Sequence, residues 1–361
     1  MLRKPAQRRI TINDIAKHAG VSKTAVSFAF NMPGRLSADT TLHILTIARE
    51  LGYTPNPIAR SLNTRRTNAL GLIVPQNIPD VLNNPFYATL MSGIGQVCKA
   101  EGLSLMLVPP MRGSMLDATY AALIDGCIVN GLEPTDDVVH ALVQRNMPFV
   151  MIDVNAAESI ATITINDHEG ALLAMSHLLA LGHRHIAILS FESPTGTVKD
   201  YVGTLKYRFD GISTALHAYG LSLNSPGIYV QECACSVAGG FAAYAQIMAQ
   251  SPKPTAIFAL SDIIAYGVIK AAGIHGLQLP HDLSIVGFDD LETSMLVSPA
   301  LTSIRQPILE KGRQAADILI RMIQGENSPA HVTLPVELVI RESTTRPPTG
   351  AAPRVVGDLS S

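Results

Sequence analysis

Three short apolar runs end on side chains suited to holding a hydroxylated ligand. PFVMI is followed by Asp153, TAIFAL by Ser261 and Asp262, and LSIVGF by Asp289 and Asp290. Carboxylates and a hydroxyl in these positions exchange hydrogen bonds with a polyol, which is recognition chemistry rather than bond breaking. Asp290 also reads as a helix N-cap or as one partner of an interdomain ion pair. Other groupings offer less. His183 and His185 flank an arginine in GHRHIAIL, but no further ligand cluster accompanies them, and a metal site needs one. Cys233 and Cys235 stand two residues apart, which on a strand puts both on one face. The chain has no G-x-S-x-G elbow and no phosphate-binding loop, and Gly93 and Gly95 fall inside a helix rather than at its opening. The expectation is a protein that binds without catalysis, metal or cofactor.

The elements that must position these residues alternate. From Ala69 onward ALGLIVP, LSLMLVP, GCIVNG and PFVMIDV are separated by stretches of helical pattern, among them Phe86 to Glu101. The series restarts with ATITIND and continues through HIAILS, GIYVQE, TAIFALSD and LSIVGFDD. Such alternation implies βαβ units, and two series imply two doubly wound subdomains with parallel sheets. Ligands in sheets of this kind bind beyond the carboxyl ends of the strands, where the aspartates and the serine stand.

The N-terminal part has a different character. Residues 1 to 66 carry eleven Lys or Arg against Asp14, Asp39 and Glu50, whereas the whole chain has a formal charge of −2. A basic module joined to a larger acidic one points to a polyanion as partner of the first. Within it, Thr11 and Asp14 form a near capping box for a helix from Ile12 to His18, with Gly20 as its left-handed stop. Ser22 caps a second helix running to about Phe30, after a turn of three or four residues. A third starts from Ser37, with Leu42, Leu45, Ala48 and Leu51 at helical spacing and Gly52 as its stop. Asn56 and Pro57 open a short further helix, Ile58 to Asn63, which at that length forms only when something docks it. This is helix-turn-helix grammar.

At 361 residues, with 47% hydrophobic and 16% charged residues, the chain is long enough for two or three well-buried domains. Four cysteines form no disulfide framework, so a reducing cytoplasm fits. No apolar segment follows the N-terminal basic residues and none of about 18 residues occurs elsewhere, which argues against export and membrane spanning.

The D-I-A-x-x-A-G-V-S-x-x-x-V-S opening, the G-Y-x-P-N that follows the third helix, and the late G-F-D-D and R-E-S-T together resemble the LacI/GalR (lactose repressor/galactose repressor) family along nearly the whole chain. The resemblance implies a basic arm over 1–9 without order, a helix-turn-helix domain over 10–54, and a hinge helix and linker over 55–68. An effector-binding and dimerisation domain would follow over 69–346, then a tail without order over 347–361. Within the core, an N-subdomain would comprise about 69–164 and 305–332, and a C-subdomain about 165–304 and 333–346. Thr11, Ser22, Asn31 and Tyr53 would hold DNA phosphates, Lys23, Thr24 and Phe28 would face bases, and Ala59 and Leu62 would enter the minor groove. Phe86, Tyr87, Asp153, Arg208, Ser261 and Asp289 would bind a small effector, a sugar or sugar derivative, with Arg208 offering a planar fork. Departures from the family pattern are Cys235, where several members have an aromatic, Ser261 in place of a common Asn, and a long Glu192 to Leu205 segment.

The implied protein is a cytoplasmic, nucleoid-associated homodimer that represses transcription from a palindromic operator under effector control. The alternative is a non-enzymatic solute-binding protein of the periplasmic type, which would need export. On the second helix Val26, Ala29 and Phe30 share one stripe, and Thr24, Ser27 and Phe28 the other. Phe30 is therefore a core residue, while Phe28 faces DNA, packing on a thymine methyl or covering deoxyribose.

Overall fold

A computed structural model of the chain describes residues 10–54, 61, 66–193, 198, 201–326 and 330–348. It divides into two compact units, residues 1–67 and 68–361. In the first, α1 (Ile12–Ala19), α2 (Lys23–Asn31) and α3 (Ala38–Glu50) enclose a small core. Side chains set each helix start. Asp14 Oδ2 accepts from the Thr11 amide at 2.9 Å and from its hydroxyl at 2.7 Å, Ser22 Oγ accepts from the Ala25 amide at 3.1 Å, and Ser37 Oγ from the Thr40 amide at 3.2 Å. Gly20 ends α1 at φ +64°, a conformation that costs glycine little.

Ile15, Val26 and Ile44 are fully buried, and Phe30 packs against this cluster with its ring 5.5 Å from that of Tyr53. The α3 stripe differs from the expected one: Leu42 is 67% exposed, and Ile44 and Ala48 face inward. Two positions correspond to about 200° of helix, so Leu42 and Ile44 cannot share a face. The helix expected from Ile58 to Asn63 lies outside the described residues apart from Ser61, as do the arm over 1–9 and the tail from 349.

In the second unit the order is β1 (Ala69–Ile73), α4 (Ile78–Asn83), α5 (Pro85–Glu101), β2 (Ser104–Val108), α6 (Met115–Ala121), β3 (Gly126–Asn130), α7 (Asp137–Gln144), β4 (Phe149–Ile152) and β5 (Ala161–Ile165). It continues with α8 (Asp167–Ala180), β6 (Ile186–Phe191), α9 (Gly203–Ala218), β7 (Ile228–Cys233), α10 (Val237–Met248), β8 (Ala256–Ala259), α11 (Asp262–Ile274), β9 (Ser284–Asp289) and β10 (Thr302–Arg305). Then come α12 (Ile308–Ile323), β11 (His331–Leu334) and β12 (Glu337–Val339). One sheet runs β11-β5-β4-β3-β1-β2, parallel throughout. The other runs β12-β10-β9-β8-β6-β7, parallel except for β12. Near-continuous apolar strands fit sheets covered by helices on both faces.

Two sequence expectations change here. ATITI does not begin the second series: it is β5 of the first sheet and pairs directly with β4, Val150 opposite Ala161. The 153–160 connection contains no helix, so alternation could not reveal which sheet receives the strand. The second return crossing likewise follows Leu334, because β11 pairs with β5 and the expected division at 332 falls inside it.

Helices α5 and α12 approach closely. A Cβ on Gly93 would lie 2.0 Å from the Leu309 carbonyl oxygen, and one on Gly312 would lie 2.3 Å from that of Leu90. Backbone on both sides cannot yield without separating the helices. Gly93→Ala is therefore expected to lower stability by about 1–3 kcal/mol, the usual cost of overpacking. An unchanged urea midpoint would refute this.

Candidate functional site

On α2 the buried Val26 and Ala29 turn inward, leaving Lys23 and Thr24 exposed and Ser27 and Phe28 half-exposed on the other side. The Arg35 guanidinium carbon stands 5.5 Å from the Phe28 ring centroid, a cation–π contact that holds the ring at the surface. Thr11 and Ser22 are exposed at helix starts, with Ser22 free to donate its own proton while it caps, and the Thr11 hydroxyl donating to Asp14. Asn31 Nδ2 reaches Ser27 Oγ at 3.4 Å, and the Tyr53 ring packs tilted against Phe30. Ala59 and Leu62 lie outside the described residues.

In the second unit a cleft of about 580 Å³ opens beyond the carboxyl ends of both sheets. It is lined by Phe86, Tyr87 and Asp153 from one half and by Arg208, Ser261 and Asp289 from the other, so residues from five separate stretches of the chain meet around one space. Asp153, Asp289 and Asp290 have positive φ of 60°, 128° and 52°. Non-glycine residues held there are strained, and such strain concentrates at binding sites.

Hydrogen-bonded groups form the floor. The Lys311 ammonium donates to Asp153 Oδ1 at 2.6 Å, to its Oδ2 at 2.7 Å and to Gln306 Oε1 at 2.7 Å. Gln306 Nε2 donates to Asp289 Oδ1 at 2.6 Å, and Ser261 Oγ to Asp289 Oδ2 at 2.8 Å. Arg208 Nε donates to Asp167 Oδ1 at 2.8 Å and Nη1 to the Leu260 carbonyl at 2.6 Å, with its guanidinium 3.6 Å over the Phe288 ring. Thr204 Oγ1 donates to the Asp153 carbonyl at 3.1 Å, joining the two walls. The Tyr87 hydroxyl donates to Gln76 Oε1 at 2.8 Å.

Lys311, Gln306 and Asp167 were not among the residues read from sequence. Lys311 had a signal: it interrupts the apolar stripe of Ile308, Ala315 and Leu319 on α12, and it is fully buried. A buried ammonium needs a carboxylate partner. Asp290 is an ion-pair partner, but within one half rather than between the two as expected: Arg305 Nε at 2.7 Å comes from β10 of the same sheet, and an Arg341 Nη at 2.6 Å from just beyond β12. Cys233 and Cys235 do not share a strand face. Cys233 is buried at the end of β7, and Cys235 lies in the following turn, open to the cleft. Alternation stops where the strand does. His183 is a buried structural residue between Thr255 Oγ1 and the Thr345 carbonyl, each at 2.8 Å, and burial pushes its pKa down. Among the described residues no three metal-ligating side chains cluster and no helix is long and apolar enough to cross a membrane.

Behind Asp289, Asp262 is fully buried and accepts from the Leu291 amide at 2.9 Å and from Ser294 Oγ and Ser303 Oγ at 2.6 Å each. A Cβ on Gly287 would lie 2.1 Å from Asp262 Oδ1, so the carboxyl requires glycine there. Burial, reinforced by the Asp289 charge, pushes Asp262 up to about 7 despite the three donors. Burial, opposed by Arg208, pushes Asp167 up to about 6, and burial raises Asp289 as well.

A carboxyl whose pKa rises on folding binds more protons in the folded chain. Its contribution is complete below about pH 4 and is lost as pH rises through 6 to 7. Asp262→Asn should flatten that fall. The check is the denaturant midpoint at pH 5 and pH 8, and an undiminished difference in the variant would exclude Asp262 as its source.

Residues 11–56 match the family described as bacterial regulatory proteins, lacI family, and residues 175–344 match a periplasmic binding protein-like domain. The repressor PurR of Haemophilus influenzae (strain PittEE) is 31% identical over 343 residues, covering 92% of this chain and 98% of that protein. A lac repressor dimer bound to operator and the anti-inducer ONPF superposes with a TM-score of 0.78 at 27% identity, covering 94% of this chain and all of the other. The complex of the regulator CelR with cellobiose gives 0.68 at 26% identity, covering 93% and 100%.

Proposed function

This chain belongs to the lacI family of bacterial regulatory proteins, and we propose that it acts in the cytoplasm as a homodimer on a palindromic operator, with a carbohydrate as effector. As a family member it is a DNA-binding transcriptional repressor with an effector-binding core. Its action is binding rather than catalysis. The reading rests on one observation above others: Phe86, Tyr87, Asp153, Arg208, Ser261 and Asp289 converge on a single cleft lined from both halves of the core.

In this reading residues 10–54 are the DNA-binding head, with α2 in the major groove. Lys23, Thr24, Ser27 and Phe28 face base edges, and Thr11, Ser22, Asn31 and Tyr53 fix the phosphate backbone. Residues 55–68 form the hinge segment, from which Ala59 and Leu62 enter the minor groove and Leu62 wedges a base step. Effector in the cleft binds two degrees of subdomain closure with different affinity and so shifts the population competent for DNA. Couplings of this kind are typically about 1–3 kcal/mol. The CelR complex with cellobiose supports a carbohydrate.

The test is DNA affinity as a function of salt. Binding to random duplex should weaken with a log–log slope of about −0.9 for each phosphate neutralised. A solute receptor would bind no duplex at any salt, and that result would overturn the reading.

A further inference from the structure

We propose that the cleft selects an effector bearing a positively charged amine, such as an amino sugar, and excludes phosphorylated or carboxylated ligands; this rests on the cleft being the effector site. Two observations support it independently. The first is charge. Arg208 and Lys311 are the cations at the floor, and each is hydrogen-bonded to its own aspartate, Asp167 and Asp153. Asp80, Glu133, Asp136, Glu192 and Asp289 also line the space, and among the described residues no cation is hydrogen-bonded to any of them.

The second is the direction of the hydrogen bonds. Several donors at the floor are already engaged inside the protein, while Arg208 keeps N–H groups beyond its bonds to Asp167 and Leu260. All three Lys311 N–H bonds go to Asp153 and Gln306, the Gln306 amide donates to Asp289, the Ser261 hydroxyl donates to Asp289, and the Tyr87 hydroxyl donates to Gln76. The carboxylates keep lone pairs, since each can accept about four hydrogen bonds. Beyond Arg208 a ligand meets the carboxylates of Asp80, Glu133, Asp136, Glu192 and Asp289, which favour donors, and a phosphate or carboxylate would face groups of its own sign.

Glu133 is placed to read the amine. It follows β3 in one half and reaches the other half, where a Cβ on Gly203 would lie 2.4 Å from its Oε1. Partial burial and the neighbouring Asp136 raise its pKa, as expected of a carboxylate awaiting a cation.

Cys235 provides a built-in probe, because it is open to the cleft while Cys98, Cys127 and Cys233 are buried. The full-length protein is treated with a cationic (trimethylammonium-ethyl) or an anionic (sulfonato-ethyl) methanethiosulfonate. Each rate is divided by that of the same reagent with free mercaptoethanol, and Cys235→Ser identifies the labelled thiol. The expected normalised preference for the cation is about tenfold or more, the size of one favourable charge contact of about 1.4 kcal/mol, and Glu133→Gln should reduce it at least threefold. Equal rates, an anionic preference, or failure of both reagents to label Cys235 would overturn the proposal, as would a preference that Glu133→Gln leaves intact. The effector reading has its own readout. If Cys235 carrying the cationic adduct binds DNA with unchanged affinity, the cleft is not the effector site, whereas its charge selection stands on the labelling rates.

Discussion

Lys311→Ala is expected to lower folding stability by about 3–5 kcal/mol, because it leaves the Asp153 carboxylate without its cation. The ammonium is fully buried and the Asp153 side chain retains 15% exposure, so water can reach the orphaned carboxylate only in part. The loss also breaks the chain from Asp153 through Gln306 to Asp289, which spans the cleft floor. Removing both charges should be milder. Lys311→Met combined with Asp153→Asn replaces a desolvated ion pair by groups that bury at lower cost, and most of the stability should return. Guanidinium unfolding of the wild type, the single variant and the double variant provides the comparison. A single variant within about 0.5 kcal/mol of wild type, the range of an ordinary surface change, would show that the pair has little energetic weight.

Phe28→Arg is expected to move operator preference toward guanine at the contacted position while leaving the head folded. Phe28 sits outside the α2 core stripe and rests against Arg35, so its replacement removes no buried core contact. An aromatic ring can pack on a thymine methyl but cannot hydrogen-bond a base edge; an arginine can fork onto guanine O6 and N7, worth about 1–3 kcal/mol of discrimination. That is a shift of about tenfold to a hundredfold in relative affinity. Selection from a randomised half-site library reads it directly. Identical consensus sequences for both proteins would place Phe28 away from the bases, over deoxyribose. The variant also brings a second guanidinium next to Arg35, so circular dichroism of the head should confirm that it remains helical.

Much of this architecture was legible because it is local. Helix starts at Ser22 and Ser37 and the stop at Gly20 follow from side-chain caps and left-handed glycine within three residues of each other. The apolar strands and the aspartates at their ends are likewise short-range patterns, and a general rule places ligands at those ends. That is how Asp153, Ser261 and Asp289 could be named from the chain alone, with Arg208, Phe86 and Tyr87 added through a family resemblance.

What misled was pattern carried past the element that generates it. Period-two alternation placed Cys235 beside Cys233 although the strand ends at Cys233. Alternation of strand and helix put β5 in the second series, since nothing in residues 153–160 announces a direct return to the first sheet. In α3 the expected stripe held at Ala48 but not at Leu42, whose place in the core Ile44 takes.

By itself, then, the sequence determined the kinds of element, the basic head, and the chemical types gathered at strand ends. Each of these depends on residues close together along the chain. Only the tertiary structure decided which groups are already matched inside the protein. Lys311 is 158 residues from Asp153, Gln306 is 17 from Asp289, and Arg208 is 41 from Asp167. Whether a carboxylate is available to a ligand or occupied by a buried cation is settled by distances across the fold. Burial then sets its proton affinity, because desolvation acts on the folded surroundings and not on the residue's neighbours in sequence.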